Sequence, residues 1–180
     1  VDLDAKMERT KLRPLPSQRL NKKNALIIGL LFSFIGVGYL YVKVNPLTSL
    51  ISFLTIFSYV AIYTPAKRIS RWNTIIGSFP GALPPVGGWT AATNNLDAPA
   101  LILFAILFCW QIPHFLSLAI VYKDDYKKAG FKMLPSVSDN LDSTLFQIVF
   151  FIMALIASTT GIYLLNLTSF LYMLGAVLLG

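Results

Sequence analysis

The sequence predicts an all-α fold: a polytopic transmembrane helical bundle with about five full spans and a sixth that is truncated. Three observations carry this. Of 180 residues, 56% are hydrophobic and 13% charged, with a mean hydropathy of +0.66. A soluble domain is nearer 25% charged, and one soluble core of this size cannot hide so much apolar side chain. The apolar residues gather in runs about as long as the ~20 residues a spanning helix needs, without the alternation of membrane-barrel strands. The positive charges fall on every second connection. Together these exclude a disordered chain, a disulfide scaffold and a soluble nucleic-acid-binding domain. The partner is the lipid bilayer, not a nucleic acid, and the net charge of +7 reads as topology.

The elements follow in order. One partial membrane domain covers 1–180. It opens on an inner-face segment, 1–23, and continues through spans at about 25–43, 47–64, 73–92, 98–121, 144–165 and 167–180, with an inner loop at 122–142. Backbone in lipid must bond to itself, so these spans are helices. The first segment holds Lys6, Arg9, Lys11, Arg13, Arg19, Lys22 and Lys23. Lys67, Arg68 and Arg71 lie in the third connection, and Lys123, Lys127, Lys128 and Lys132 in the fifth. The other face carries Lys43 alone. The positive-inside rule puts the rich face in the cytoplasm, or in the matrix of an organelle. All the acidic residues but Asp97 lie on that face too, so chemistry is expected there. Cys109 is the single cysteine, so there is neither a disulfide nor a CxxC pair. The chain starts at Val1 within a charged stretch and stops at Gly180 early in an apolar run, and a longer parent chain is expected.

Two clusters could carry chemistry. The first runs from Asp2 and Asp4 through Arg9 and Arg13 to Pro16. Asp2 and Asp4 diverge by about 200° on a helix but share a side in an extended segment. Carboxylates beside cations suit a Mg²⁺–diphosphate site, because the metal takes hard oxygen ligands shared with phosphate and Arg offers forked donors. A solvated juxtamembrane charge run fits the same residues. The second cluster is Tyr122, Lys123, Asp124, Asp125 and Tyr126, followed by Lys127 and Lys128. It reads as half of a metal-bridged anion site or as a capped, solvated helix end. Lys67 and Arg68 could grip a phosphate or anchor the helix at the interface.

Two oddities lie within spans. Gly77 to Trp89 contains Pro80, Pro84 and Pro85, which suits either a broken helix lining a cavity or close helix packing. His114, the only histidine, is an intramembrane ionisable group and so a functional candidate; a neutral His bonded to a neighbouring helix is the alternative. Phosphate-cradling loops, HExxH, GxSxG and Cys/His zinc spacings are absent.

The run DLDAKMERTKLRPLP resembles the first Asp-rich motif of the UbiA-type intramembrane prenyltransferases, and YKDDYKKAGFKMLP resembles their second. YTPAKR, GALPPVGGW and WQIPHF lie between them in the family's order, and the last two resemble the haem O synthase branch rather than its quinone-making relatives. The five segments span residues 2–135; beyond 142 only hydropathy supports the match. The family's first motif sets an Asn, an acid and an Asp four residues apart, and Asp4 fits the last. The resemblance implies a helical bundle of about nine spans around a cavity whose inner mouth holds Mg²⁺ and diphosphate. It implies transfer of a farnesyl group from farnesyl diphosphate to the vinyl group of haem B, giving haem O. Asp4, Asp124 and Asp125 would be catalytic, with Asp2, Asp4 and Asp125 at the metal. Arg9, Arg13, Lys67, Arg68, Tyr122, Lys123 and Tyr126 would bind the donor, and His114 the haem. The further partners implied are haem A synthase or the terminal-oxidase assembly pathway, in a bacterial plasma membrane or a mitochondrial inner membrane. An aromatic quinone precursor is the alternative acceptor. A transporter is the alternative class, although transport sites usually lie near the midplane and these acids gather at one face. A structural membrane subunit would leave both acidic clusters without a role.

Overall fold

The structure, a computed structural model, describes residues 3–137 and 140–179, and every regular element among them is helical. The helices are α1 (Lys22–Lys43), α2 (Pro46–Phe57), α3 (Thr64–Ile69), α4 (Asn73–Thr93), α5 (Ala98–Val121), α6 (Lys123–Ala129), α7 (Leu134–Val137), α8 (Asp142–Leu164) and α9 (Phe170–Leu179). A short 3₁₀ turn, Asp4–Lys6, lies before α1, and a π turn, Ser58–Tyr63, joins α2 to α3 without a break. Four helices are long and apolar enough to cross a membrane: α1, the continuous Pro46–Ile69 unit, α5 and α8. The protein is an integral membrane protein.

The stretch expected as the third span is α4. It has the length but falls short in hydropathy, because Gly, Pro, Ser and Thr take the place of large aliphatics. Its Pro80, Pro84 and Pro85 do not break it, and the helix runs continuously from Asn73 to Thr93. Proline's fixed φ is already helical, and α2 and α5 pack α4 on two sides. Ala82, Ser78 and Thr90 are fully buried there, so small side chains let the helices approach closely.

The long helices form a row in which α1, α2, α4, α5, α8 and α9 each pack on the next. Polar pegs fix their register. Asn45 caps α2 by accepting from the Thr48 amide at 2.7 Å and donates to the Thr90 carbonyl of α4 at 2.8 Å. The Thr48 and Thr90 hydroxyls meet at 2.9 Å. Ser49 donates to the Val37 carbonyl of α1 at 2.8 Å. In a medium without water such bonds have no competitor.

The π turn has a local cause. Pro65 carries no N–H, and in an α-helix its ring would meet the carbonyl four residues back. A wider turn just ahead of it gives that ring room. The Thr64 amide accordingly donates to the Tyr59 carbonyl, five residues back. Tyr59 and Tyr63, both on this turn, lie with ring centroids 5.3 Å apart.

Candidate functional site

Three connections meet at one end of the bundle: the segment before α1, the end of α3 and the α5–α8 connection. Met7 anchors the first. It is 1% exposed and packs with Ala119, Ala129, Phe131 and Met133. Burying a side chain of that size contributes about 1.5–3 kcal/mol, enough to hold a short segment that has only a 3₁₀ turn of its own. The Thr10 hydroxyl donates to the Asp4 carbonyl at 2.6 Å and closes the loop around Asp4.

That anchoring places charge over a cavity of about 490 Å³. Asp4, Arg9, Arg13, Lys67 and Tyr126 line its mouth. Arg9 is held twice: its guanidinium carbon stands 4.9 Å from the centre of the Tyr122 ring, and one terminal nitrogen donates to the Tyr126 hydroxyl at 3.2 Å. The Lys67 ammonium sits 5.6 Å from the Phe131 ring centre. Partial burial opposes ionisation of Asp4, while Lys67 and Arg13 favour its charged form. A smaller recess of about 390 Å³ shares Asp4, Arg13 and Lys67 and is walled by Pro14, Leu15, Pro16 and Leu20.

Below the mouth the lining changes. Tyr59 and Tyr63 come from the π turn, Thr74, Gly77 and Gly81 from α4, and Gln111, Phe115 and Leu118 from α5. The roof is the connection after α6. Asn73, fully buried, donates one amide hydrogen there, to the Lys132 carbonyl, and the other to the Ser70 carbonyl just ahead of α4, each at 2.7 Å. Phe131 and Met133 thereby face the cavity.

The other sequence-derived candidates stand as follows. The Asp125 carboxylate accepts from the Glu8 amide at 3.3 Å, so the two acidic segments touch, but Asp125 does not line the cavity. Asp124 is exposed in the first turn of α6, beside half-buried Lys123, and neither reaches the cavity wall. Tyr122 reaches the site only through Arg9. Arg68 is exposed and also off the wall. His114 is exposed on α5, stacked on Trp110 with centroids 5.0 Å apart, and is not a lining residue. Asp2 lies outside the described residues. Tyr59, Tyr63, Asn73, Thr74 and Gln111 were not singled out by sequence reasoning. Their signal was polarity inside apolar runs, which packing alone could explain.

No group of three or more His, Cys, Asp or Glu side chains comes together among the described residues. The donors present therefore do not form an all-protein metal cage. They fit a Mg²⁺ ion that keeps its waters and is bound through one or two carboxylates plus substrate phosphates, as this ion commonly is. Cations at a mouth above a narrow, mostly uncharged chamber suit an anionic head on a long apolar tail.

Fold and site together define an intramembrane helical protein with a cationic mouth over a chamber between its helices. The chain belongs to the UbiA prenyltransferase family, whose sequence pattern matches residues 1–180. It is 47% identical over 177 residues to a protoheme IX farnesyltransferase of Solibacter usitatus, covering 98% of this chain and 61% of that one. It is 41% identical over 179 residues to the enzyme of that name from Sorangium cellulosum, covering 99% and 64%. The Koribacter versatilis counterpart is 42% identical over 177 residues, covering 98% and 57%. The chain thus spans about three fifths of the length of these curated relatives. No solved structure matches it.

Proposed function

We propose that the protein is a prenyltransferase that moves a farnesyl group from farnesyl diphosphate to a vinyl group of haem B, giving haem O. The observation that carries this reading is the cation-lined mouth over the chamber, in a chain 41–47% identical to relatives that bear that name. Arg9, Arg13 and Lys67 take the diphosphate, with forked guanidinium donors on its oxygens. Asp4 would hold Mg²⁺, with Asp125 contributing from the adjoining segment. When bound, that ion neutralises charge developing on the leaving diphosphate. The C–O bond of the donor breaks and leaves an allylic cation in a chamber that excludes bulk water. The terminal vinyl carbon of haem B bonds to it, and the positive charge passes to the adjacent vinyl carbon. Water adds there and loses a proton, which gives the hydroxyethylfarnesyl group. His114, outside the chamber, would meet the porphyrin and not the prenyl chain. The charge bias puts the mouth on the cytoplasmic or matrix side, in a bacterial plasma membrane or a mitochondrial inner membrane. The product would pass to haem A synthase or to terminal-oxidase assembly.

The test is to express the protein from its complete gene in a host lacking haem O synthase and to weigh the extracted haems. A farnesyl-plus-water gain on haem B is expected. It should fall by about 100-fold or more with Asp4→Ala, since a bound metal stabilises the transition state by several kcal/mol, and also with Asp125→Ala. Unmodified haem B from well-expressed protein would overturn the choice of acceptor.

A further inference from the structure

Two glycines of α4 line the chamber one turn apart, and both of their missing side chains are already replaced by something else. A Cβ built on Gly77 would lie 2.5 Å from the Tyr63 ring. A Cβ on Gly81 would collide with the carboxamide of Gln111. The next glycines along the same helix are not like this. At Gly87 the nearest atom is an Ile51 methyl at an ordinary 3.7 Å, and at Gly88 there is open space. Neither of these lines the cavity. Tyr63 and Gln111 are therefore recessed into the α4 backbone only along the chamber wall. Gln111 is held from behind, where its side-chain amide donates to the Leu107 carbonyl at 3.2 Å. It is buried and lines the cavity, so the open space beside its displaced end is the lumen.

Depth separates the two positions. At 1.5 Å per residue, Gly77 lies about 6 Å and Gly81 about 12 Å along α4 from Asn73 at the roof. A donor held by its diphosphate at the mouth passes Gly77 early whatever its length. Only the far part of its tail reaches Gly81.

We propose that Gly81 and Gln111 form the specificity determinant for the length of the prenyl chain, Gly81 being the recess that keeps the Gln111 side chain out of the tail's path. This rests on the reading of the chamber as a prenyl diphosphate site. Gly77 and Tyr63 set the bore nearer the head and do not discriminate between lengths.

The test measures affinity of the detergent-solubilised protein, expressed from its complete gene, for unreactive C10, C15 and C20 prenyl thiolodiphosphates. Gly81→Ala should weaken C15 relative to C10 by about tenfold or more, since one methylene in a pocket is worth 10- to 200-fold. Adding Gln111→Ala should restore the wild-type ratio. Gly77→Ala should weaken both about equally. Gln111→Ala alone, which opens the lumen and introduces no clash, should raise the C20:C15 affinity ratio and so reads the idea even if Gly81→Ala does not fold. An unchanged C10:C15 ratio in folded Gly81→Ala, or an unchanged C20:C15 ratio in Gln111→Ala, would overturn it. So would a wild-type protein that binds none of the three. Tight binding without transfer to haem B would overturn the acceptor reading and leave this inference standing.

Discussion

Arg9 illustrates how a charged side chain in a short segment becomes part of a built site. It is exposed, yet its guanidinium carbon stands 4.9 Å from the Tyr122 ring centre and Tyr126 accepts one of its hydrogens. The remaining guanidinium donors are left for phosphate. Tyr126→Phe keeps the ring and removes the acceptor. It should raise the KM for farnesyl diphosphate by roughly tenfold, the scale of one hydrogen bond to a charged group, and leave kcat little changed; steady-state kinetics on membranes check this. The residues of this mouth were legible in the sequence because charge beside an apolar run is conspicuous. Asp4, Arg9, Arg13, Lys67 and Tyr126 were all named and all line one cavity. Met7 and Asn73 were not legible. A methionine in a charged run and an asparagine opening a span carry no outward sign that one is buried and the other fastens a loop. Asp124, Arg68 and His114 show the converse: their chemistry is visible in the sequence, but the direction they face depends on helix rotation, which it does not spell out.

At the scale of elements, an apolar run of spanning length points to a helix because in lipid it has only one way to satisfy its backbone. Local exceptions were harder to read. Three prolines in α4 left a broken helix and close packing both open, and the helix is whole. One proline after Tyr63 gave no warning of a π turn, yet one is there. Pro65→Ala restores a backbone donor and relieves the ring's clash, so the turn should tighten to α and rotate Tyr59 relative to α3. Donor affinity should then fall by about tenfold, the scale of one lost polar contact, while thermal stability in detergent holds or rises, since a helix-interior proline costs about 3 kcal/mol relative to alanine. Unchanged affinity would mean that the tyrosine pair is aimed by packing and not by Pro65.

For the molecule as a whole, the orientation proposed in the bilayer rests on a charge bias of 14 positive residues against one. Cys109 is buried and is the sole cysteine, so a Cys109→Ser background gives clean reporters. A cysteine at exposed Asn95 should react with an impermeant maleimide from outside right-side-out vesicles. One at exposed Lys128 should react only after permeabilisation, and the reverse pattern would invert the assigned sides. Composition made the membrane class legible from the start, but nothing in it showed that three separate connections would close over one chamber. That closure is uneven. On the α4 side the rim is tied to the helix by the bond from the buried Asn73 amide to the Lys132 carbonyl. On the opposite side the amino-terminal segment is pinned by buried Met7, and its two hydrogen bonds to α6, at Glu8 and Arg9, are exposed and can be replaced by water. Dissolved ions weaken exposed charge contacts far more than buried packing, so rising salt should loosen the Glu8 and Arg9 contacts first and leave the Met7 anchor and the chamber behind it intact.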